Sequence, residues 1–136
     1  MINGPNLNWL GRRDEKHYGK NSLQELEDEL SEIARDNGCE LLSFQTNSEG
    51  EFIDFLQKNY SQAIGYIINP GAYSHTSLAI MDAILSIDKQ VIEVHLSNVT
   101  SREEIRQNLL TASACDGLII GFGREGYKLA LKSLIN

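Results

Sequence analysis

The feature that most constrains the fold is the alternation of apolar, strand-like segments with amphipathic, helix-like segments along the chain. Two of the strand-like segments, residues 64–69 and 91–96, are almost continuously apolar instead of alternating with polar residues. Continuous apolar strands are typical of a parallel sheet that helices cover on both faces. The sequence therefore predicts an α/β protein with a parallel sheet between two helical layers.

Capping boxes mark three of the predicted helix starts. In such a box a serine and a glutamate three residues later cap the first turn of a helix reciprocally. The boxes begin at Ser22, Ser48 and Ser101, and the third precedes a shorter helix than the other two. The predicted helices cover residues 22–37, 48–60, 77–87, a short stretch after 101, and 127–135. The predicted strands after the first cover residues 39–46, 64–69, 91–96 and 117–121.

Five strands in this arrangement favour a flavodoxin-like three-layer sandwich with the strand order 2-1-3-4-5. The first strand is short, because only Met1 and Ile2 precede Asn3, whereas a central strand should have about five residues. The sequence leaves open whether this strand is a stub or whether the chain begins partway through it. No linker divides the chain, so residues 1–136 are predicted to form a single catalytic domain.

Composition excludes several classes of partner. The chain has 12 Lys and Arg against 19 Asp and Glu, a net charge of −7, which argues against binding to nucleic acid or to a membrane surface. No apolar run approaches the roughly 20 residues of a membrane span. The two cysteines, Cys39 and Cys115, lie far apart without metal-ligand spacing. We expect buried free thiols, no metal and a cytoplasmic protein.

Polar residues gather where the predicted strands end. Ligands of open α/β sheets bind beyond the carboxyl ends of the strands. Asparagine, histidine and glycine are frequent at those ends and scarce within the strands, at residues 3–6, 45–47, 69–76, 95–98 and 121–123. The sequence therefore predicts a polar pocket at this edge of the sheet.

Glu93 and His95 interrupt the apolar strand at 91–96. Positions i and i+2 of a strand point to the same face, so a carboxylate and an imidazole should lie side by side in apolar surroundings. A carboxylate beside a histidine fixes its tautomer and raises its basicity, as a general acid or base requires. The alternative is a mutually satisfied core pair without a chemical role.

The segment 9–20 lacks periodicity and contains Gly11, Arg13, Tyr18 and Gly19. A glycine-flanked loop of this kind is typical of a mobile lid. A neighbouring arginine favours phenolate, so Tyr18 could serve as a base although the pKa of a free tyrosine is about 10. The alternative is a solvated loop with arginines that have no role.

Residues 121–126 match the pattern G-x-G-x-x-G after a strand and before a helix. A dinucleotide site also needs a further strand and an acidic residue about 20 positions downstream. Only ten residues follow Gly126. We therefore expect no cofactor here and interpret the glycines as permitting close packing of strand and helix.

Six segments together resemble the type II 3-dehydroquinate dehydratases, and they follow one another at spacing similar to that of the family. They are residues 3–8, Arg13 with Tyr18 and Gly19, and residues 45–50, 68–77, 92–98 and 102–106. The resemblance implies a flavodoxin-like fold, no cofactor and dodecamers built from trimers. It also implies a hydro-lyase of the shikimate pathway of aromatic amino-acid biosynthesis. Such an enzyme removes water from 3-dehydroquinate by anti elimination through an enolate, giving 3-dehydroshikimate.

The resemblance also implies catalytic roles. Tyr18 would remove the C2 proton, and Arg13 would lower the pKa of Tyr18. Asn6 would help to hold a water that stabilises the enolate oxygen. His95 would be the general acid that protonates the departing C1 hydroxyl, and Glu93 would orient His95.

Further positions are implied to contact the substrate or support the site. Asn69, His75 and Arg106 would bind substrate, as would the backbone at Leu96 and Ser97, which would receive the carboxylate. Arg102 would support the lid, and Asp82 would reach into the site of a neighbouring subunit. From the residues alone, His75 could instead cap the following helix, and Arg106 could be an ordinary cation on a helix surface.

Three other interpretations compete with this one. A phosphoacceptor receiver domain would need acids after the first strand and a lysine after the last, where Asn3, Asn6 and Phe122 stand. A flavin mononucleotide carrier would need a Ser/Thr-rich loop after the first strand. An inactive member of the dehydratase family would be expected to lack one of Arg13, Tyr18 and His95, and all three are present.

Overall fold

A computed structural model describes residues 1–12 and 22–136. Within these ranges the strands are β1 (Ile2–Asn3), β2 (Phe44–Gln45), β3 (Gly65–Asn69), β4 (Gln90–His95) and β5 (Gly117–Ile120). The α-helices of the same ranges are α1 (Leu23–Asp36), α2 (Glu49–Asn59), α3 (Leu78–Leu85) and α4 (Arg124–Ile135). None of these helices is long and apolar enough to cross a membrane.

The five strands form one parallel sheet in the order β2-β1-β3-β4-β5, which confirms the predicted flavodoxin-like topology. α1 and α4 cover one face of the sheet, and α2 and α3 cover the other. β3 and β4 are buried on both sides, as their continuous apolar sequence predicts: Ile67, Ile92 and Val94 belong to one core, and Ile68 and Val91 to the other.

The length of β2 differs from the prediction. The sequence predicts a strand over residues 39–46, but only Phe44 and Gln45 pair with a neighbour. Their partners are Ile2 and Asn3, the two residues of β1. An edge strand can extend only as far as its neighbour, so the short first strand limits the second.

The capping boxes have three different outcomes. At α1 the box is complete: the Glu25 N–H donates to Ser22 Oγ, and the Ser22 N–H donates to Glu25 Oε2. At α2 only half of it forms, because the Glu51 carboxylate accepts a hydrogen bond from Thr46 Oγ1 and Ser48 Oγ alone caps the helix.

The short α-helix predicted after Ser101 is wrong. Two 3₁₀ turns, Val99–Ser101 and Glu104–Gln107, occupy this segment. Asn98 caps the first turn, since its Oδ1 accepts from the Thr100 N–H at 3.2 Å. The Ser101 hydroxyl donates to the Asn98 carbonyl at 2.8 Å and so does not act as a helix cap.

Two smaller predictions also change. The closing helix begins at Arg124, three residues before the predicted start. Cys39 and Cys115 are free thiols as predicted, but each is only partly buried.

The glycine motif at 121–126 packs α4 against the sheet. A Cβ at Gly126 would lie 3.2 Å from Ile119 Cγ2 on β5 and 3.2 Å from Val94 Cγ1 on β4. Both methyl groups belong to strands and have little freedom to withdraw. Close packing of helix and strand therefore accounts for this glycine, as predicted.

Gly126→Val should lower the free energy of unfolding by about 1–3 kcal/mol, because the added methyls overpack the contact between α4 and the sheet. Gly50→Val in helix α2 is the matched control. A Cβ at Gly50 would meet no atom nearer than Ser48 Oγ at 3.9 Å. Urea unfolding at one protein concentration compares the two variants. Equal midpoints would contradict the packing role of Gly126.

Candidate active site

A polar pocket of about 280 Å³ lies beyond the carboxyl ends of β1, β3 and β4. Asn6, Asn69 and His95 reach it from these three strand ends, and Leu96 and Ser97 continue its wall after β4. A cavity of about 300 Å³ at the opposite end of the sheet has walls dominated by apolar residues. Two histidines, His75 and His95, line the first pocket.

Basic side chains form one side of this pocket. His75, Arg102 and Arg106 all line it, although the chain as a whole carries a net charge of −7. Arg106 Nε donates to Glu103 Oε2 at 2.8 Å, and Arg102 Nε lies 3.9 Å from the same oxygen. The pocket lining thus gathers basic side chains on a protein that is acidic as a whole.

His95 and Glu93 lie side by side on β4, as the period of a strand predicts. His95 Nε2 is 2.6 Å from Glu93 Oε1, and the two side chains are 5% and 0% exposed. A carboxylate only accepts hydrogen bonds, so Nε2 carries the ring proton and donates it. Nδ1 is then the ring atom left for proton exchange in the pocket that His95 lines.

The second oxygen of Glu93 also has a partner, which the sequence analysis missed. Thr111 Oγ1 donates to Glu93 Oε2 at 2.6 Å, and both residues are fully buried. Thr111 begins the 3₁₀ turn Thr111–Ala114, 18 positions beyond Glu93. No local pattern connects the two residues.

A second missed residue, Tyr127, lies beneath the pocket. Its hydroxyl donates to Asn3 Oδ1 at 2.7 Å and accepts from Asn69 Nδ2 at 2.8 Å. Asn69 Oδ1 accepts from the Gly71 N–H at 3.1 Å. Burial raises the pKa of Tyr127, so it remains a neutral phenol. The one available signal was its place directly after Gly126, which brings the start of α4 against the sheet.

The loop after β1 holds Asn6 in the left-handed region, with φ 70°. Asparagine tolerates this conformation better than most residues. The Asn6 N–H donates to Asn47 Oδ1 at 3.0 Å, and Gln45 Nε2 donates to the Gly4 carbonyl at 3.1 Å. The segment after β2 therefore fixes the loop that presents Asn6 to the pocket.

The alternative for His75, a cap on the following helix, does not fit the structure. Ser77, not His75, caps α3, since its Oγ accepts from the Ile80 N–H. The His75 ring instead contacts the Asn108 carbonyl through Nδ1 at 2.8 Å. Arg106 lies in the 3₁₀ turn Glu104–Gln107 and lines the pocket.

Of the predicted site residues that the structure describes, Glu93 and Asp82 are not among those that line the pocket, and Glu93 lies behind His95. Arg13 and Tyr18 lie outside the described residues, together with most of the predicted lid. Asp82 is exposed on α3 and does not line the pocket of its own chain. Among the described residues, no group of three or more His, Cys, Asp or Glu side chains could hold a metal ion.

Comparison with known proteins gives a consistent result. The family model described as dehydroquinase class II matches residues 1–135. A 3-dehydroquinate dehydratase of Carboxydothermus hydrogenoformans is 49% identical over 136 residues, covering 100% of this chain and 88% of that protein.

Solved structures of similar proteins agree with these sequence matches. A type II dehydroquinase from Butyrivibrio crossotus superimposes with a TM-score of 0.95 at 42% identity, covering 99% of this chain and 94% of that one. The type II dehydroquinase from Propionibacterium acnes gives a TM-score of 0.94 at 37% identity, covering 98% and 92%.

Tyr127→Phe should lower the free energy of unfolding by about 1–3 kcal/mol, because it leaves the buried Asn3 and Asn69 amides without a shared partner. Tyr60→Phe is the control, since that ring is 38% exposed. Urea unfolding at neutral pH measures both. A loss no larger for Tyr127→Phe than for Tyr60→Phe would contradict the bridging role.

The difference in stability between wild type and Tyr127→Phe should depend on pH. The pKa of Tyr127 is raised in the folded state, so its contribution is complete below the unfolded value of about 10 and is lost as the pH rises beyond it. The stability difference between wild type and Tyr127→Phe should therefore shrink above pH 10. A difference that stays constant in urea unfolding at pH 9 and pH 11 would contradict this.

Proposed function

This chain belongs to the class II dehydroquinase family and is a hydro-lyase that dehydrates 3-dehydroquinate in the shikimate pathway, and we propose that the reaction takes place in the pocket beyond β1, β3 and β4. Membership of this family excludes the interpretations of the chain as a receiver domain or as a flavin carrier. The observation that supports this location is that His95, paired with the buried Glu93, lines a pocket that His75, Arg102 and Arg106 also line.

His95 is the proposed general acid. Hydroxide is a poor leaving group, so the C1 hydroxyl needs a proton as it departs. Glu93 accepts a hydrogen bond from the Nε2–H of His95 and so fixes the tautomer and the orientation of the ring. β4 pairs with β3 on one side and β5 on the other, so the acid sits on a rigid element.

The base comes from the predicted lid. The C2 proton lies α to a ketone, so a moderate base suffices if a fixed donor stabilises the enolate. Tyr18 is the proposed base, and Arg13 is the cation that favours its phenolate. Asn6, held by Asn47, would orient a water toward the enolate oxygen. Acid and base act on opposite faces of the ring, which gives anti elimination to 3-dehydroshikimate.

The remaining pocket residues would bind the substrate. The backbone at Leu96 and Ser97 would receive the carboxylate, and Asn69, His75 and Arg106 would bind the rest of the molecule. Arg102 would support the closed lid. The basic lining supports this assignment because the substrate is an anion. The reaction as proposed needs no cofactor and no metal.

Assembly into dodecamers built from trimers, with Asp82 entering a neighbour's site, is part of the proposal. Helix α3 carries Asp82 at an exposed position, and its Leu78 and Leu85 are 59% and 64% exposed. Exposed apolar side chains on one helix favour a subunit contact. The free thiols of Cys39 and Cys115 favour a reducing, cytoplasmic location. Residues 1–136 would act as a single catalytic domain.

The proposed roles predict the kinetics of two variants. His95→Ala and Tyr18→Phe should each lower kcat by about 10²–10⁴-fold, because each removes a proton-transfer group. The measurement is the ultraviolet absorbance of the conjugated enone formed from 3-dehydroquinate. Tyr60→Phe should keep wild-type activity. Folded wild type without activity would refute the location and the roles together, and undiminished kcat in either variant would refute that residue's role.

Mixing inactive subunits tests whether Asp82 acts in trans. Asp82→Ala and His95→Ala oligomers should each be impaired, since each lacks one part of every site. Dissociating and reassembling them together should restore activity, because some sites then combine His95 of one chain with Asp82 of another. No gain over the separate variants would contradict a shared site. Sedimentation of the wild type should give about twelve times the chain mass of 15.2 kDa.

A further inference from the structure

We infer that Thr111 is a positioning residue for the dehydration: its hydroxyl fixes the Glu93 carboxylate, which in turn fixes the imidazole of His95. The inference deepens the proposed function and rests on His95 acting as the general acid. Thr111 does not line the pocket and contacts Glu93 from the far side. It therefore acts through Glu93 and not on the substrate.

Each carboxylate oxygen of Glu93 accepts a hydrogen bond from a different residue. Oε1 accepts from His95 Nε2 and Oε2 accepts from Thr111 Oγ1, each at 2.6 Å. The terminal torsion of a glutamate is broad and roughly two-fold, so one hydrogen bond leaves the carboxylate plane free to turn. Two partners on opposite oxygens fix the plane. They also fix the direction in which Glu93 holds the ring of His95.

Cys115 could be thought to replace Thr111, because its Sγ lies 3.8 Å from Glu93 Oε2. A thiol is a weak donor, and its other contact is the Thr111 carbonyl at 3.4 Å. Burial, followed by the charge of Glu93, raises the pKa of Cys115, so the group stays a neutral thiol. Thr111 is the strong donor to this oxygen.

The hydrogen bond from Thr111 matters energetically because the charge of Glu93 is buried. A hydrogen bond to an ionised carboxylate is roughly twice as strong as one between neutral groups. Without the hydroxyl, Glu93 Oε2 would keep only the distant thiol in a site that water does not reach. The carboxylate would then be free to turn, and this change alters the hydrogen bond that orients His95.

Two substitutions separate the hydroxyl from the rest of the side chain. Thr111→Val keeps the shape and removes the hydroxyl, whereas Thr111→Ser keeps the hydroxyl and removes a methyl. Thr111→Val should lower kcat about 10- to 100-fold, as expected when a catalytic group is misplaced by about 1 Å. KM should change far less, because no substrate contact is lost. Thr111→Ser should restore most of kcat.

A substrate-free readout follows the ring directly. In ¹⁵N-labelled protein, the ring nitrogens of His95 report its tautomer and its hydrogen bond to Glu93. These signals, assigned with a His95 variant, should change in Thr111→Val and be retained in Thr111→Ser. Thr46→Val is the matched control, since Thr46 also donates to a glutamate, Glu51, but lies apart from His95. It should leave the His95 signals unchanged.

The outcomes are distinct. The inference is overturned if Thr111→Val keeps kcat and the His95 signals, or if Thr111→Ser loses as much activity as Thr111→Val. Urea unfolding of both variants shows that any comparison is made between folded proteins. If folded wild type lacks dehydratase activity, the proposed function fails by itself. The His95 signals of Thr111→Val then still decide whether Thr111 positions this ring.

Discussion

A buried negative charge at Glu93 is the constraint on which the arrangement around the polar pocket depends. The residue lies on β4, between β3 and β5, with none of its side chain exposed. A charge in that position is costly unless other groups donate to it. His95 and Thr111 supply the two donors. The hydrogen bonds that offset the cost of burying this charge thus also hold an oriented imidazole at the wall of the pocket.

Local periodicity explains what the sequence could predict. Continuous apolar segments at β3 and β4 reveal strands covered on both faces, and alternating elements restrict the sheet order to a few possibilities. The two-residue period of a strand places Glu93 beside His95 without any knowledge of the tertiary structure. The capping box at Ser22 is equally local, and it forms completely. In each case the interacting groups lie within a few residues of one another.

What the sequence could not predict depends on distant partners or on local competition. Thr111 reaches Glu93 across 18 positions, and no spacing rule selects it. The extent of β2 is decided by its neighbour β1 and not by its own residues. The segment after Ser101 matches a capping box, yet Asn98 caps a tighter turn first. These failures have one origin, since a pattern within one segment does not say which other groups compete for its hydrogen bonds.

The hydrogen bond between Tyr127 and Asn3 joins residues 124 positions apart, and this separation affects the order of folding. Contacts between distant residues require closure of a long loop, which costs entropy before any contact compensates for it. Closing the loop between Asn3 and Tyr127 therefore costs more entropy than pairing β3 with β4, which come from nearby segments. During synthesis, a nascent chain that lacks α4 has the sheet residues of the site but not the tyrosine that joins them.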